Sequence, residues 1–276
     1  MTAGRVTAVA WPGQQPLAVA LAEAADRTPP FPGVGPLPDR PIRLILAPTR
    51  ALFDSLTRDR LPAWSEGAAF PERSTVVLLS DRPTVRLSGA LRHELAHLVL
   101  HWRLGARRPP LWFDEGYAAL AAGEWDRLEA LKLNWQIARG VRMDLDEVDH
   151  ALRSDETDAQ TAYALATTAV LLLDRWGGGG QRGLASLIDA LAQAPTFDAA
   201  LRATFHVTEG DFETRWERDL ASRYGLLAWS EAVGAFWAVL ALMLVWLVRL
   251  RRQRDAERKA RLDEGWTVPD DEGPSA

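Results

Sequence analysis

Three histidines stand at four-residue intervals in "LRHELAHLVLHW", Leu91–Trp102. On a helix His93, His97 and His101 project from successive turns of one side, while Leu91, Leu95, Leu98, Val99 and Trp102 form an apolar face. His93 and His97 can reach one ion together, since zinc takes imidazole nitrogen at ~2.0–2.1 Å. Glu94, one residue on from His93, is placed to accept a proton from an attacking water, which gives "HELAH" the form of a metal-hydrolase motif. His101 does not complete the set. At ~1.5 Å rise per residue it lies about 12 Å along the axis from His93, too far to share an ion that His97 also holds. It is expected at the helix end or cleft rim. His150 and His206 are isolated and are read as surface or packing residues.

A third ligand is sought downstream, because a catalytic zinc keeps three protein ligands and one open position. "RRPPLWFDEGYAALAAGEW" leaves a proline loop and begins a new helix. Packed against the histidine helix, it could aim Glu115 at the same ion. Seventeen residues separate His97 from Glu115.

The pair "HELAH" and "WFDEGYA" resembles the gluzincin metallopeptidases of the peptidase-MA clan. The resemblance covers about 75–225 well and the first strands weakly. It implies a zincin-like α+β fold, a Zn2+ ion on His93, His97 and Glu115, and Glu94 as general base. It also implies a tyrosine near the oxyanion, for which Tyr163 is the candidate, while Tyr117 is assigned to the core. Two departures stand out. No aspartate follows Glu115 by four residues, so the partner of a ligand histidine is open, with Asp114 the candidate. No exopeptidase signature of the aminopeptidase kind is present, so that activity is not supported.

Other elements must position these residues. "RVTAVAW", "IRLILA" and "STVVLLS" read as strands. "PLAVALAEAADR" and "TRALFDSLTRDR" read as helices, the second capped by Thr49, and "PPFPGVGPLPDRP" as a loop. Helices are expected near 88–103, 113–122, 124–138, 157–176, 182–193, 197–204 and 209–224. This gives a small N-terminal sheet with helices (1–87) and a helical zinc-site subdomain (88–226). "STVVLLS" is expected at the sheet edge, where a peptide substrate could add as a strand.

The uncharged stretch "AVGAFWAVLALMLVWLV" lies within a segment, 228–249, long enough to cross a bilayer, which needs ~20 residues. Seven basic residues follow between Arg249 and Arg261. Basic flanks stay cytoplasmic, so a single-pass membrane protein is expected, with 1–226 extracytoplasmic. The tail 250–276 is basic, then acidic. The first residues carry no signal peptide of the usual kind. Either the true start lies upstream, a signal has been removed, or the orientation is reversed.

Composition narrows the alternatives. A net charge of −5 gives no case for nucleic acid as partner. The lack of cysteine excludes disulfides, thiolate metal sites and a cysteine nucleophile. The expected function is a membrane-anchored zinc peptidase acting on peptide or protein substrates. The rival is an inactive, membrane-tethered interaction domain, against which the intact His93, Glu94, His97 and Glu115 count.

Overall fold

The computed structural model describes residues 1–58, 65–81, 84–154, 156–224, 237–249, 251, 252 and 254. Residues 1–225 form one compact unit and 226–276 a second.

The first unit opens on a mixed sheet. Its strands are β1 (Thr2–Ala3), β2 (Val6–Val9), β3 (Ile42–Ala47), β4 (Gly67–Phe70) and β5 (Thr75–Leu79), in the order β1-β2-β3-β5-β4. β2, β3 and β5 are parallel, whereas β1 and β4 run antiparallel to their neighbours. This corrects the expected edge. β5 pairs with β3 through Thr75–Leu79 and with β4 through Thr75–Leu78, so both its edges are used. Its β-branched, leucine-rich sequence is buried at every position, as suits a strand covered on two faces. The chain reaches the outside with β4 and turns back inward to form β5. The strand on this edge of the sheet is therefore β4.

Helices α1 (Gln15–Asp26) and α2 (Arg50–Thr57) cover the sheet. Thr49 caps α2, its hydroxyl accepting from Leu52 N–H. After β5 comes α3 (Thr84–Leu104), then α4 (Leu111–Ala122), α5 (Arg127–Ala138), α6 (Leu145–Ala151), α7 (Glu156–Trp176), α8 (Ala185–Gln193), α9 (Phe197–Phe205) and α10 (Glu209–Tyr224). The sequence reading found these except α6.

The segments expected as 1–87 and 88–226 share one core. Leu44, Leu46, Val76 and Leu78 of the sheet are buried in the same cluster as Leu91, Leu95, Leu98 and Val99 of α3. Trp112 and Phe113 of α4 join it; the Trp112 ring stacks on Phe212 with centroids 5.7 Å apart. The proline loop is fastened to this core. Phe31 is fully buried, Tyr117 donates to Pro32 O, and Arg92 donates to the Thr28 hydroxyl and to Pro29 O and Pro30 O. Tyr117 thus sits in the core as expected.

In the second unit, 237–249 is helical and the large apolar side chains from Trp237 to Val248 are exposed. Among the described residues no helix is long and apolar enough to cross a membrane. The expected span 228–249 lies partly outside the described residues, and the tail 250–276 almost wholly so.

Candidate metal centre

α3 and α4 bring the sequence-predicted groups together. The interior of α3 presents Leu91, Leu95 and Leu98 to the core, and this rotation turns His93 and His97 toward α4. α4 starts after the proline loop, and its first N–H groups donate to Asp149 of α6. That contact satisfies donors a helix start leaves free and fixes the turn carrying Asp114 and Glu115. On its other side α4 meets α7. A Cβ on Gly116 would lie 2.5 Å from Ala166 O, so the glycine permits backbone contact there. Ala166 is one turn beyond Tyr163, which brings that tyrosine to Glu115.

Glu115 Oε2 lies 3.4 Å from His93 Nε2 and 3.7 Å from His97 Nε2. Their ligand atoms all fall within 4.8 Å of one another. A tetrahedral ion with bonds of ~2.0–2.1 Å spaces its donors ~3.3–3.4 Å apart, so the arrangement has the dimensions of such a site. The opposite ring nitrogens are also committed. His93 Nδ1 donates to Glu124 Oε1 (3.1 Å) and His97 Nδ1 to Asp114 Oδ1 (2.7 Å). An ionised carboxylate only accepts, so each Nδ1 carries hydrogen and each Nε2 lone pair can face inward.

Asp114 does more than the sequence reading gave it. Its second oxygen, Oδ2, accepts from His101 Nε2 at 2.6 Å. His101 is therefore joined to His97 through one carboxylate. It stands in the last turn of α3, the helix-end position expected for it. His97, His101 and Asp114 also bring ligand atoms within 4.8 Å, but both Asp114 oxygens are already engaged by imidazole N–H groups. Glu124 was missed altogether. It follows the α4 C-cap Gly123, whose φ of 74° turns the chain back toward the site.

The electrostatics follow from three carboxylates around two imidazoles. Burial alone would depress His93, but hydrogen bonds to Glu115 and Glu124 outweigh it and carry its pKa to about 10. His97 is likewise held well above the ordinary value, against burial, by Asp114 and Glu115. Burial would raise Asp114, yet His97 and His101 bring it down to about 2. Glu115 is also lowered, against burial, first by His97 and then by His93. The pocket thus favours bound positive charge, and a divalent cation meets that demand as two protons do.

Glu94 lies beside this cluster and is buried. Burial raises its pKa, opposed by the two histidines, which suits a carboxylate that must gain a proton. A Cβ on Gly67 would lie 2.4 Å from Glu94 Oε1, so the Glu94 carboxylate rests directly on the first residue of edge strand β4. The Tyr163 ring is 6.4 Å from that of His93, and burial followed by Glu115 pushes its hydroxyl well above the usual phenol range. His150 on α6 and His206 after α9 are exposed and stand apart from both histidine clusters.

A sheet that hands its last strand to a histidine helix, with a glutamate from the next helix facing both imidazoles, is the arrangement of a metallopeptidase-like protein. The family model of the Peptidase MA superfamily matches residues 33–222, and the chain belongs to that superfamily. Among curated proteins, none matches the chain.

Proposed function

We propose that this protein is a zinc-dependent peptidase of gluzincin type, tethered to a membrane. The observation that carries the reading is the convergence of His93 Nε2 and His97 Nε2 on Glu115 Oε2 at 3.4 and 3.7 Å, with Glu94 buried alongside. His93, His97 and Glu115 would hold the ion. When bound, zinc polarises a carbonyl and makes water a better nucleophile at neutral pH. Glu94 takes the proton from the attacking water and returns it to the leaving amine. Tyr163 donates its hydroxyl hydrogen to the oxyanion as it develops, since its raised pKa keeps it protonated. Glu124 and Asp114 hold the two imidazoles in the tautomer that binds metal.

The substrate is a peptide or protein segment laid beside β4. As the outer strand of the sheet, β4 has one side not paired to another described strand, and main-chain groups there can hold an extended peptide. Because Glu94 rests on Gly67, a peptide on this edge would pass close to the base. The membrane tether is the segment 228–249, with 1–226 extracytoplasmic and the basic tail cytoplasmic. The uncharged sequence, the exposed apolar side chains of 237–248 and the basic residues that follow support this arrangement.

The test is metal analysis and peptide-library cleavage with the full chain, alongside a Glu94→Gln variant. One zinc per chain and cleavage that the variant lacks are expected. Cleavage that survives complete removal of metal, or equal cleavage by the variant, would refute the assignment.

A further inference from the structure

α4 is held from outside at both ends. Asp149 fixes its start by accepting from Leu111 N–H and Trp112 N–H. Arg92 fixes its end. The helix closes in a left-handed turn at Gly123, where Gly123 N–H donates to Leu120 O (3.1 Å) and Glu124 N–H to Ala119 O (3.0 Å). This closure satisfies two of the last carbonyls and leaves Ala121 O unmet within the turn. Ala121 is buried, so that carbonyl needs a partner. Arg92 Nε supplies it, and a cation at a helix C-terminus is favoured by the helix dipole. The rest of the guanidinium is committed to the proline loop. Nη1 donates to the Thr28 hydroxyl (2.6 Å) and to Pro29 O (2.9 Å), and Nη2 to Pro30 O (3.3 Å). The group also lies over the Phe31 ring, 4.7 Å from its centroid. A planar fork bound through all three nitrogens is a fixed post.

Arg92 and His93 are adjacent on α3, and both hold the same end of α4. Arg92 takes Ala121 O, and His93 Nδ1 donates to Glu124 at 3.1 Å. The second attachment depends on the first. Asp114, which orients His97, has a side chain 15% exposed and is gripped by two imidazoles. Glu124 lies beyond the end of its helix with a side chain 45% exposed. Water competes there for its oxygens, so a lone contact to His93 is weak unless the backbone already places it. The placement of the turn keeps Glu124 on His93, and Arg92 sets that placement.

We infer that Arg92 is a positioning residue of the metal centre: by pinning the last turn of α4 it holds Glu124 on His93 Nδ1, which keeps His93 Nε2 turned toward Glu115. The inference rests on the zinc-site reading above and adds to that site a residue that acts through another. It also makes the proline loop part of the support, because Thr28, Pro29 and Pro30 hold the guanidinium in place. A clip that served the loop alone would lower stability without singling out His93.

The test is a double-mutant cycle on zinc affinity, read by chelator competition with the full chain. Glu124→Ala should weaken binding about 10–100-fold, and Arg92→Gln about threefold to tenfold as a part of the same loss. If Arg92 acts through Glu124, the double variant stays within about twofold of Glu124→Ala. Losses that multiply in the double variant overturn the inference, as does Arg92→Gln binding zinc within about twofold of wild type. A proton signal separates positioning from general loosening. In the zinc-loaded chain with nitrogen-15-labelled histidine, Arg92→Gln should lose the His93 Nδ1 proton to exchange with water. The His97 Nδ1 proton, held by Asp114, should stay. Loss of both together assigns Arg92 to general stability and overturns the inference. Arg92→Lys keeps the charge but offers one ammonium in place of the fork. It carries the same measurements if Arg92→Gln does not fold, and the same selective loss is expected in smaller measure. A wild-type chain that binds no zinc overturns the zinc-site reading and this inference with it. Zinc bound by wild type with multiplying losses overturns this inference alone.

Discussion

Asp114→Asn is the sharpest perturbation of the metal centre, because it keeps shape and removes one acceptor. Two imidazole N–H groups converge on Asp114, from His97 at 2.7 Å and His101 at 2.6 Å. An amide accepts at its oxygen and donates at its nitrogen, so one histidine must change tautomer. If His101 changes, its proton moves to Nδ1, a buried atom with no hydrogen-bond partner among the described residues. An unsatisfied buried donor costs about 1–3 kcal/mol. If His97 changes, its Nε2 becomes protonated and loses the lone pair that faces Glu115. Both routes also exchange a charged acceptor for a neutral one, which lowers the basicity of His97 as a ligand, so zinc binding weakens by about 10–100-fold, or about 1.4–2.8 kcal/mol. Competition against a chromophoric chelator at pH 7.5 measures this directly. Metal-free stability changes too. The Asp114 pKa of about 2 lies below its ordinary value of 3.8, worth about 2 kcal/mol at 1.36 kcal/mol per unit. A depressed carboxylate stabilises the fold above its unfolded pKa and loses that contribution as pH falls through the folded one. Urea unfolding with chelator present should therefore show a gap of about 2 kcal/mol between wild type and variant at pH 7. The gap should close between about pH 4 and pH 2. A variant that binds zinc within twofold of wild type would refute the role of Asp114 in orienting His97.

Further expectations concern the base, its support and the protons the metal displaces. Glu94→Gln should bind zinc normally and lose about 10²–10⁴-fold in turnover; near-normal turnover in a peptide assay would remove Glu94 as base. Gly67→Ala should push the Glu94 carboxylate from its seat and lower kcat by about 10²-fold, as misplacement by ~1 Å can, with metal content unchanged. Normal kcat would show that the close approach is inconsequential. Zinc affinity should climb with pH well above 7, because metal must displace protons from His93, with its pKa of about 10, and from His97. A chelator-competition profile that is flat between pH 7 and pH 9 would contradict the raised values.

The parts of the site legible in the sequence were those tied to a period or a fixed gap. His93, Glu94 and His97 follow from helical spacing, and Glu115 from a helix that opens after a proline loop. Glu124 obeys no such period, since a left-handed turn at Gly123 swings it back to His93. The Asp114–His101 bond is not legible because the sequence offers Asp114 to a ligand histidine and sets His101 aside by its distance along the helix, although one carboxylate spans from His97 to His101. The edge strand was misplaced for a related reason. Gly67–Phe70 reads "GAAF", with no β-branched residue to signal a strand, so the sequence does not show the partner that covers the outer edge of β5. α6 carried a legible signal in Asp144 and Glu147, which form a capping box, but it is only seven residues long.

The strap formed by Arg92 bears on where this protein begins and ends as a folding unit. The family match starts at residue 33, whereas Arg92 binds Thr28, Pro29 and Pro30. β2, which flanks β3, also precedes that boundary. A fragment cut at residue 33 would strip acceptors from the guanidinium beside His93 and turn β3 into a raw edge of unpaired backbone, the kind that invites aggregation. The residues that match the family thus begin inside one packed unit. The first 32 residues serve as the buttress against which the matched part stands.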